Sequence, residues 1–197
     1  GSYYKKKHVG TFGDIGILSF NGNKIITTGG GGAILTDNEL LAKKIFNFAT
    51  INKQKHKWKY EYDHIGYNYR MPSLNAALGL AQIKKLNSHV KKKRTLFKRY
   101  KKIFSQNTNF ELFEEPKNSK SNYWLQTILL NKKYRKYKDQ ILEASNRDGI
   151  KIRPVWRPIH KSKHLKNFNK MDLKNTIELE NRIINLPSSP EILEILR

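Results

Sequence analysis

The chain has 197 residues, of which 38% are hydrophobic and 11% aromatic, enough apolar material for a packed core and not the composition of a disordered segment. It holds no cysteine, which excludes disulfides and thiolate metal sites. Its formal net charge of +23 raises nucleic-acid binding as an alternative, but the lysines are spread over the whole length among many asparagines and isoleucines, as a general compositional bias would leave them.

The opening Gly1-Ser-Tyr-Tyr-Lys-Lys-Lys7 has neither an initiating methionine nor the apolar stretch of a signal peptide. A piece of a longer protein is therefore expected, and the lack of cysteine fits a cytoplasmic setting. No apolar run reaches the roughly 18 residues that a membrane-spanning helix needs.

Residues 14–20 read as a strand, and residues 32–36 as a second strand leaving a run of glycines, Gly29 to Gly32. Between them stands Lys24. A Schiff-base lysine needs a rigid support, backbone that can approach a bound group closely, and surroundings that favour loss of its proton. Spacing alone leaves two readings open, this one and a surface lysine beside a flexible turn. The glycines are expected to supply positive φ and close packing; no GK[ST] follows, so they are not a phosphate-binding P-loop.

Asp37 is placed to cap a helix over 38–50, with Leu40, Leu41, Ile45 and Phe48 as its apolar stripe. The polar and aromatic stretch 52–66 reads as a long loop, of the kind that often carries function. Pro72 is suited to the first turn of a helix, whose face would be Leu74, Ala77, Leu78, Leu80 and Ala81. A longer helix is predicted over 86–105, with Val90, Phe97, Tyr100, Ile103 and Phe104 as core candidates. On it lies the densest basic cluster, Lys91-Lys-Lys-Arg94, which reads as a solvated face. The composition changes over 106–122, where a domain boundary is expected. Beyond it the pattern gives a strand over 123–130, a helix over 135–147 ending at Gly149, a strand over 150–155, and a last helix over 174–184 leading into Leu186-Pro-Ser-Ser189. The histidines form no HExxH pair, so a zinc hydrolase site has no support and no metal site is expected.

Several short motifs occur in a fixed order: Gly13-Asp-Ile-Gly16, Ser19-Phe-Asn-Gly-Asn-Lys24, the glycine run, Gly66-Tyr-Asn-Tyr-Arg-Met71, Asn75-Ala-Ala-Leu-Gly79 and Leu186-Pro-Ser-Ser189. Together they resemble the DegT/StrS-type sugar-nucleotide aminotransferases, which are fold type I pyridoxal-phosphate enzymes. The resemblance covers nearly the whole chain and implies the C-terminal half of such an enzyme. Its α/β fold would comprise the C-terminal part of a large cofactor-binding domain with a mixed, mostly parallel sheet and connecting helices (1–105), then a small α/β domain (106–197).

The resemblance also implies roles. Lys24 matches the lysine that binds pyridoxal 5'-phosphate covalently, and Ser19 the serine that hydrogen-bonds its phosphate. Asn68 matches an asparagine that reaches the cofactor of the neighbouring subunit in a homodimer, with Arg70 supporting that region. Asn21 and Asn23 flank the lysine, and Trp58 lies in the aromatic loop; each is a candidate for contact with the nucleotide sugar. Arg153, Trp156 and His160 occupy the stretch near the family's substrate mouth. For each of these substrate candidates a purely structural role stays open. The implied reaction is transfer of an amine from an amino acid, glutamate foremost, to a nucleotide-linked 4-keto-6-deoxy sugar for surface glycans. The family's dehydratases carry histidine in place of the lysine, and Lys24 argues against that variant. An inactive truncated half and a basic nucleic-acid-binding module are the two alternatives.

Overall fold

The computed structural model describes residues 1–195. They form two compact units: residues 1–88 with 117–121, and residues 89–116 with 122 onwards.

In the first unit, β1 (Tyr3–Tyr4) and β2 (Lys7–His8) form a tight hairpin. Lys5 and Lys6 turn it at φ 46° and 66°, the left-handed pair that matches the twist of a two-residue hairpin. The outer side of β1 pairs with a strand from 117–121 described below. After a short 3-10 turn at Val9–Thr11 come β3 (Gly16–Ser19) and β4 (Gly32–Leu35), antiparallel in the register Gly16↔Leu35 to Ser19↔Gly32.

Helix α1 (Glu39–Ala49) follows, and Asn38, not Asp37, is its cap: Asn38 Oδ1 accepts the Leu41 N–H at 3.0 Å. The segment 52–65 is irregular, held by a bridge between Lys53 and Tyr62 and by Gln54 N–H to Glu61 O at 2.8 Å. Helix α2 (Ser73–Ile83) begins after Pro72, whose extended ψ of 148° puts it at the cap position and outside the first turn. Neither α1 nor α2 has a buried residue; Leu40 and Leu74 are 81% and 83% exposed.

Helix α3 (Leu86–Ile103) contains the break between the two compact units, at residues 88 and 89. Its buried side chains are Val90, Leu96, Phe97 and Tyr100, while Ile103, an expected core residue, is 51% exposed. The helix stops at Ile103, short of 105. Then come β5 (Phe110–Leu112), β6 (Ser119–Lys120), which completes the β2-β1-β6 sheet of the first unit, and β7 (Gln126–Leu130). Strand β7 starts later than the hydrophobic run suggests because Tyr123 sits at φ 46°, outside the extended region.

The expected helix over 135–147 divides into a 3-10 turn at Lys132–Tyr137 and α4 (Lys138–Arg147). Gly149 ends it at φ 81°, and the Ile150 N–H returns to Ser145 O at 2.8 Å. The strand expected over 150–155 is reduced to β8 (Arg153–Pro154), since Pro154 has no N–H with which to extend the ladder. Two 3-10 turns lead to α5 (Lys174–Glu180), β9 (Ile183–Leu186) and α6 (Ile192–Ile195). Strand β9 takes residues assigned from the sequence to the last helix. Ile184 there is wholly buried, because β9 is an inner strand of a sheet ordered β5-β7-β9-β8.

The core of the second unit is Ile128, Leu130, Ile152 and Ile184, with Phe110, Leu112, Ile141, Leu142 and Leu186 packed on it. The architecture is α/β, as expected, but every strand pair among the described residues is antiparallel. The parallel pairs expected for a larger sheet are not formed between these segments.

Candidate active site

Lys24 is half-buried in the loop 20–31 that joins β3 to β4, not at the end of the strand itself. The loop is tied across its base. Phe20 donates its N–H to Gly31 O at 3.0 Å, and Phe20 O accepts from the Thr28 N–H at 3.0 Å and the Thr27 hydroxyl at 2.9 Å. Within it, the Lys24 N–H bonds Asn21 O at 3.0 Å, and Asn21 Nδ2 donates to Asn23 Oδ1 at 3.3 Å. The Ser19 hydroxyl accepts the Asn21 N–H at a long 3.4 Å and is exposed. Sequence and structure thus bring Ser19, Asn21, Asn23 and Lys24 into one small feature.

The glycine side of the loop behaves as expected. Gly29 and Gly31 have φ of 81° and 93°, a region that residues with a Cβ rarely adopt. What the sequence did not disclose is how this side is anchored. Asn75 on α2 donates Nδ2 to Thr28 O at 2.6 Å, and Thr28 is buried, its hydroxyl donating to Gly30 O. A Cβ on Gly79 would meet Thr28 Cγ2 at 2.8 Å. The helix therefore approaches the lysine loop as closely as it does because position 79 is glycine.

Gly79→Ala is accordingly expected to cost about 1–3 kcal/mol through overpacking. Thr28→Ser, which removes the opposing methyl, should return most of that loss, and paired urea-unfolding curves of the single and double variants measure it. Equal stability of Gly79→Ala and the parent would show that the contact is not tight.

Asn68 and Arg70 lie in a second feature. The segment 66–69 runs beside the end of α1: Thr50 and Asn68 form an antiparallel bridge, with Tyr67 N–H to Phe48 O at 2.6 Å and Tyr69 N–H to Ala49 O at 3.0 Å. Asn52 Nδ2 reaches back to Ile65 O at 2.6 Å. Tyr67 and Tyr69 stack at 5.1 Å, so Asn68 between them points to the opposite side of this extended segment. Asn68 and Arg70 are exposed, and no hydrogen bond joins Asn68 to the lysine loop among the described residues. Trp58 is 73% exposed, edge-on to His56 at 5.0 Å, and so does not anchor its loop in a core.

The remaining candidates belong to the second unit. Arg153 is on β8, an edge strand, and Trp156 follows it outside any helix or strand. His160 is half-buried in the 3-10 turn Ile159–Lys161.

The basic cluster on α3 is corrected by the structure. Lys91 and Lys92 face solvent, but Lys93 and Arg94 turn inward. Lys93 Nζ donates to Ser188 O at 2.7 Å and Trp124 O at 3.0 Å. Burial pushes its pKa down, against the pull of Glu191. Arg94 makes a two-pronged pair with Glu115 at 2.7 and 2.8 Å, which holds its pKa up. The motif Leu186-Pro-Ser-Ser189 is fixed by the same group of residues. Tyr100 donates its hydroxyl to Pro187 O at 3.0 Å, the Gln126 N–H donates to Ser188 Oγ at 2.8 Å, and Ser188 Oγ donates to Leu186 O at 2.7 Å. None of these long-range links has a local signature in the sequence.

The donor set around Lys24 combines one primary amine, a serine hydroxyl and the backbone amides of a glycine turn. A Cβ at Gly22 or Gly30 would meet nothing within 4 Å, so the loop that carries the lysine is open at these two glycines. An amine for an aldehyde, with hydroxyl and amide donors for a phosphate, fits pyridoxal phosphate chemically.

The sequence profile of the DegT/DnrJ/EryC1/StrS aminotransferase family matches residues 1–194, and the chain belongs to this family. It is 36% identical over 194 residues to the GDP-perosamine synthase of Escherichia coli O157:H7, an alignment covering 98% of the chain and 51% of that protein. With the UDP-4-amino-4,6-dideoxy-N-acetyl-beta-L-altrosamine transaminase of Campylobacter jejuni serotype O:2 it shares 30% identity over 194 residues, 98% of the chain and 52% of that protein. Among solved structures, Helicobacter pylori PseC, an aminotransferase involved in the biosynthesis of pseudoaminic acid, superposes with a TM-score of 0.93 at 31% identity, over 100% of this chain and 54% of that one. The chain spans about half the length of the relatives it matches.

Proposed function

We propose that this chain is the lysine-bearing C-terminal half of a pyridoxal-phosphate-dependent sugar-nucleotide aminotransferase. Its substrate would be a nucleotide-linked 4-keto-6-deoxy sugar, aminated at C4 with glutamate as donor, for surface polysaccharide. The observation that carries this reading is Lys24, half-buried in a loop clamped at its base by Phe20, Thr27, Thr28 and Gly31. The names of two relatives, a GDP-perosamine synthase and a UDP-4-amino-4,6-dideoxy-N-acetyl-beta-L-altrosamine transaminase, support a nucleotide-linked sugar as the substrate class.

The cofactor, when bound, supplies an electron sink for the bond that breaks at the amine-bearing carbon. Lys24 Nζ would hold the cofactor through its aldehyde carbon and, once displaced by the incoming amine, would take the proton from the donor's amine-bearing carbon and, in the return half-reaction, deliver one to the sugar carbon that gains the amine. Ser19 Oγ would donate to the cofactor's phosphate, a charge-assisted bond. Asn21 and Asn23 fix the loop and face the substrate. Asn68 and Arg70 serve the site of a second subunit, which accounts for their exposure here. Residues 1–105 belong to the large domain with its connecting helices and 106–197 to the small one. The 197-residue piece alone is inactive, because the other half of the cofactor site lies outside it. The nucleic-acid alternative loses support, since half of the densest basic cluster is engaged internally. Among the described residues no helix is long and apolar enough to cross a membrane.

Borohydride reduction of the full-length protein, followed by peptide mapping, tests the reading. A pyridoxyl label on Lys24 is the expected result. A label elsewhere, or none, overturns it.

A further inference from the structure

Trp156 is a large apolar side chain that is 62% exposed, yet it is not loose. Its ring stacks on that of Trp124 with centroids 5.7 Å apart and planes within 23°. Trp124 is itself held. Its carbonyl accepts Lys93 Nζ at 3.0 Å, and its N–H donates to Asn122 Oδ1 at 3.0 Å. Lys93 is fixed in turn by Ser188 O at 2.7 Å, and its own carbonyl accepts from the wholly buried Gln126 at 3.1 Å. A chain of bonds thus runs from the helix α3 to the underside of an exposed indole.

Beside that indole in sequence stand Arg153 and Arg157. Both are exposed, and among the described residues neither guanidinium has an ion-pair partner. Arg153 is on the edge strand β8, in register with Asn185 of β9. A flat ring fixed on one side, with one guanidinium fork three residues before it and another directly after it in the chain, suits a ligand that is itself a flat ring joined to a diphosphate. A ring already immobilised loses little freedom when a base stacks on it.

We infer that Trp124 is a positioning residue: it fixes Trp156 as a stacking platform for the base of a nucleoside diphosphate, whose phosphates meet Arg153 and Arg157. This rests on the function proposed above and adds the nucleotide end of the substrate to it. Trp124 acts only through Trp156 and touches no reacting atom.

The test uses the full-length protein with cofactor. Binding of UDP and of GDP is measured by calorimetry, and the kinetics are measured with the nucleotide sugar and with glutamate. Trp124→Leu is expected to raise Kd for whichever nucleotide binds, and KM for the nucleotide sugar, each about tenfold, in line with the loss of one base–aromatic stack. The kcat and the KM for glutamate should stay within twofold. Trp124→Phe, which keeps a flat ring beneath Trp156, should restore most of the affinity. Unchanged nucleotide affinity in Trp124→Leu overturns the inference, as does a parallel change in all constants, the mark of a merely structural role. Failure of both UDP and GDP to bind the parent protein also overturns it. The borohydride label on Lys24, read in the same samples, separates the two ideas: label present with unchanged nucleotide affinity rejects the platform alone, and label absent rejects the aminotransferase reading.

Discussion

Lys24→Ala in the full-length protein is expected to lower turnover by at least about a thousandfold, the scale on which removal of a covalent catalytic group is felt. The near-visible absorbance of lysine-bound cofactor should vanish with it. The loop itself should survive the change, because its base is held by backbone and threonine bonds that do not involve the lysine side chain: Phe20 to Gly31, and Thr27 and Thr28 to Phe20. Stability measured by urea unfolding should therefore move by no more than about 0.5 kcal/mol. Lys24→Arg separates charge from chemistry, since a guanidinium keeps the positive charge but does not give up its proton. It should be as inactive as the alanine variant. Turnover within tenfold of the parent in either variant would remove Lys24 from its role.

The largest effect on stability is expected at Gln126. Its side chain is wholly buried, and Nε2 donates to Lys93 O at 3.1 Å and Tyr123 O at 3.4 Å. Gln126→Ala leaves both carbonyls short of a donor and opens a cavity at the start of β7. Together these effects should cost about 3 kcal/mol, or roughly 6–12 °C in Tm for a chain of this size. One contribution runs the other way. Gln126 Oε1 is buried with no partner among the described residues, and its removal relieves that cost. Gln126→Met, which keeps the volume and loses the donor and this oxygen together, should therefore be the milder change, at about 1 kcal/mol. Thermal unfolding of the three proteins side by side decides the matter. Equal loss in both variants would assign the effect to hydrogen bonding alone, and no loss in either would show that Gln126 does not hold this region.

The parts of the fold that were legible in the sequence are those with a local cause. Apolar spacing set α1, α2 and α3, the glycine run set the turn into β4, and Gly149 set the end of α4. Strands β1, β2, β6 and β8 have two residues each and exist only through their partners, so no periodicity marks them. Strand β9 was hidden because Ile183 and Ile184 continue the helical pattern of α5, and only pairing with β7 separates them. The site divides along the same line. The Ser19-to-Lys24 feature is contiguous and could be read directly. The inward turn of Lys93, the hold of Asn75 on Thr28 and the stacking of Trp124 on Trp156 each join residues far apart in the chain. Residue type alone gave no sign of them.

The pairing of Ser19 with Gly32 has a consequence for how the lysine can be shifted. Below that pair, residues alternate between two faces, so one residue added to or removed from either strand would exchange inside for outside along the rest of the hairpin. Above it, the chain is free of that parity. The reach of the amine can therefore be lengthened or shortened one residue at a time only between positions 20 and 31, while the ladder beneath stays as a fixed base.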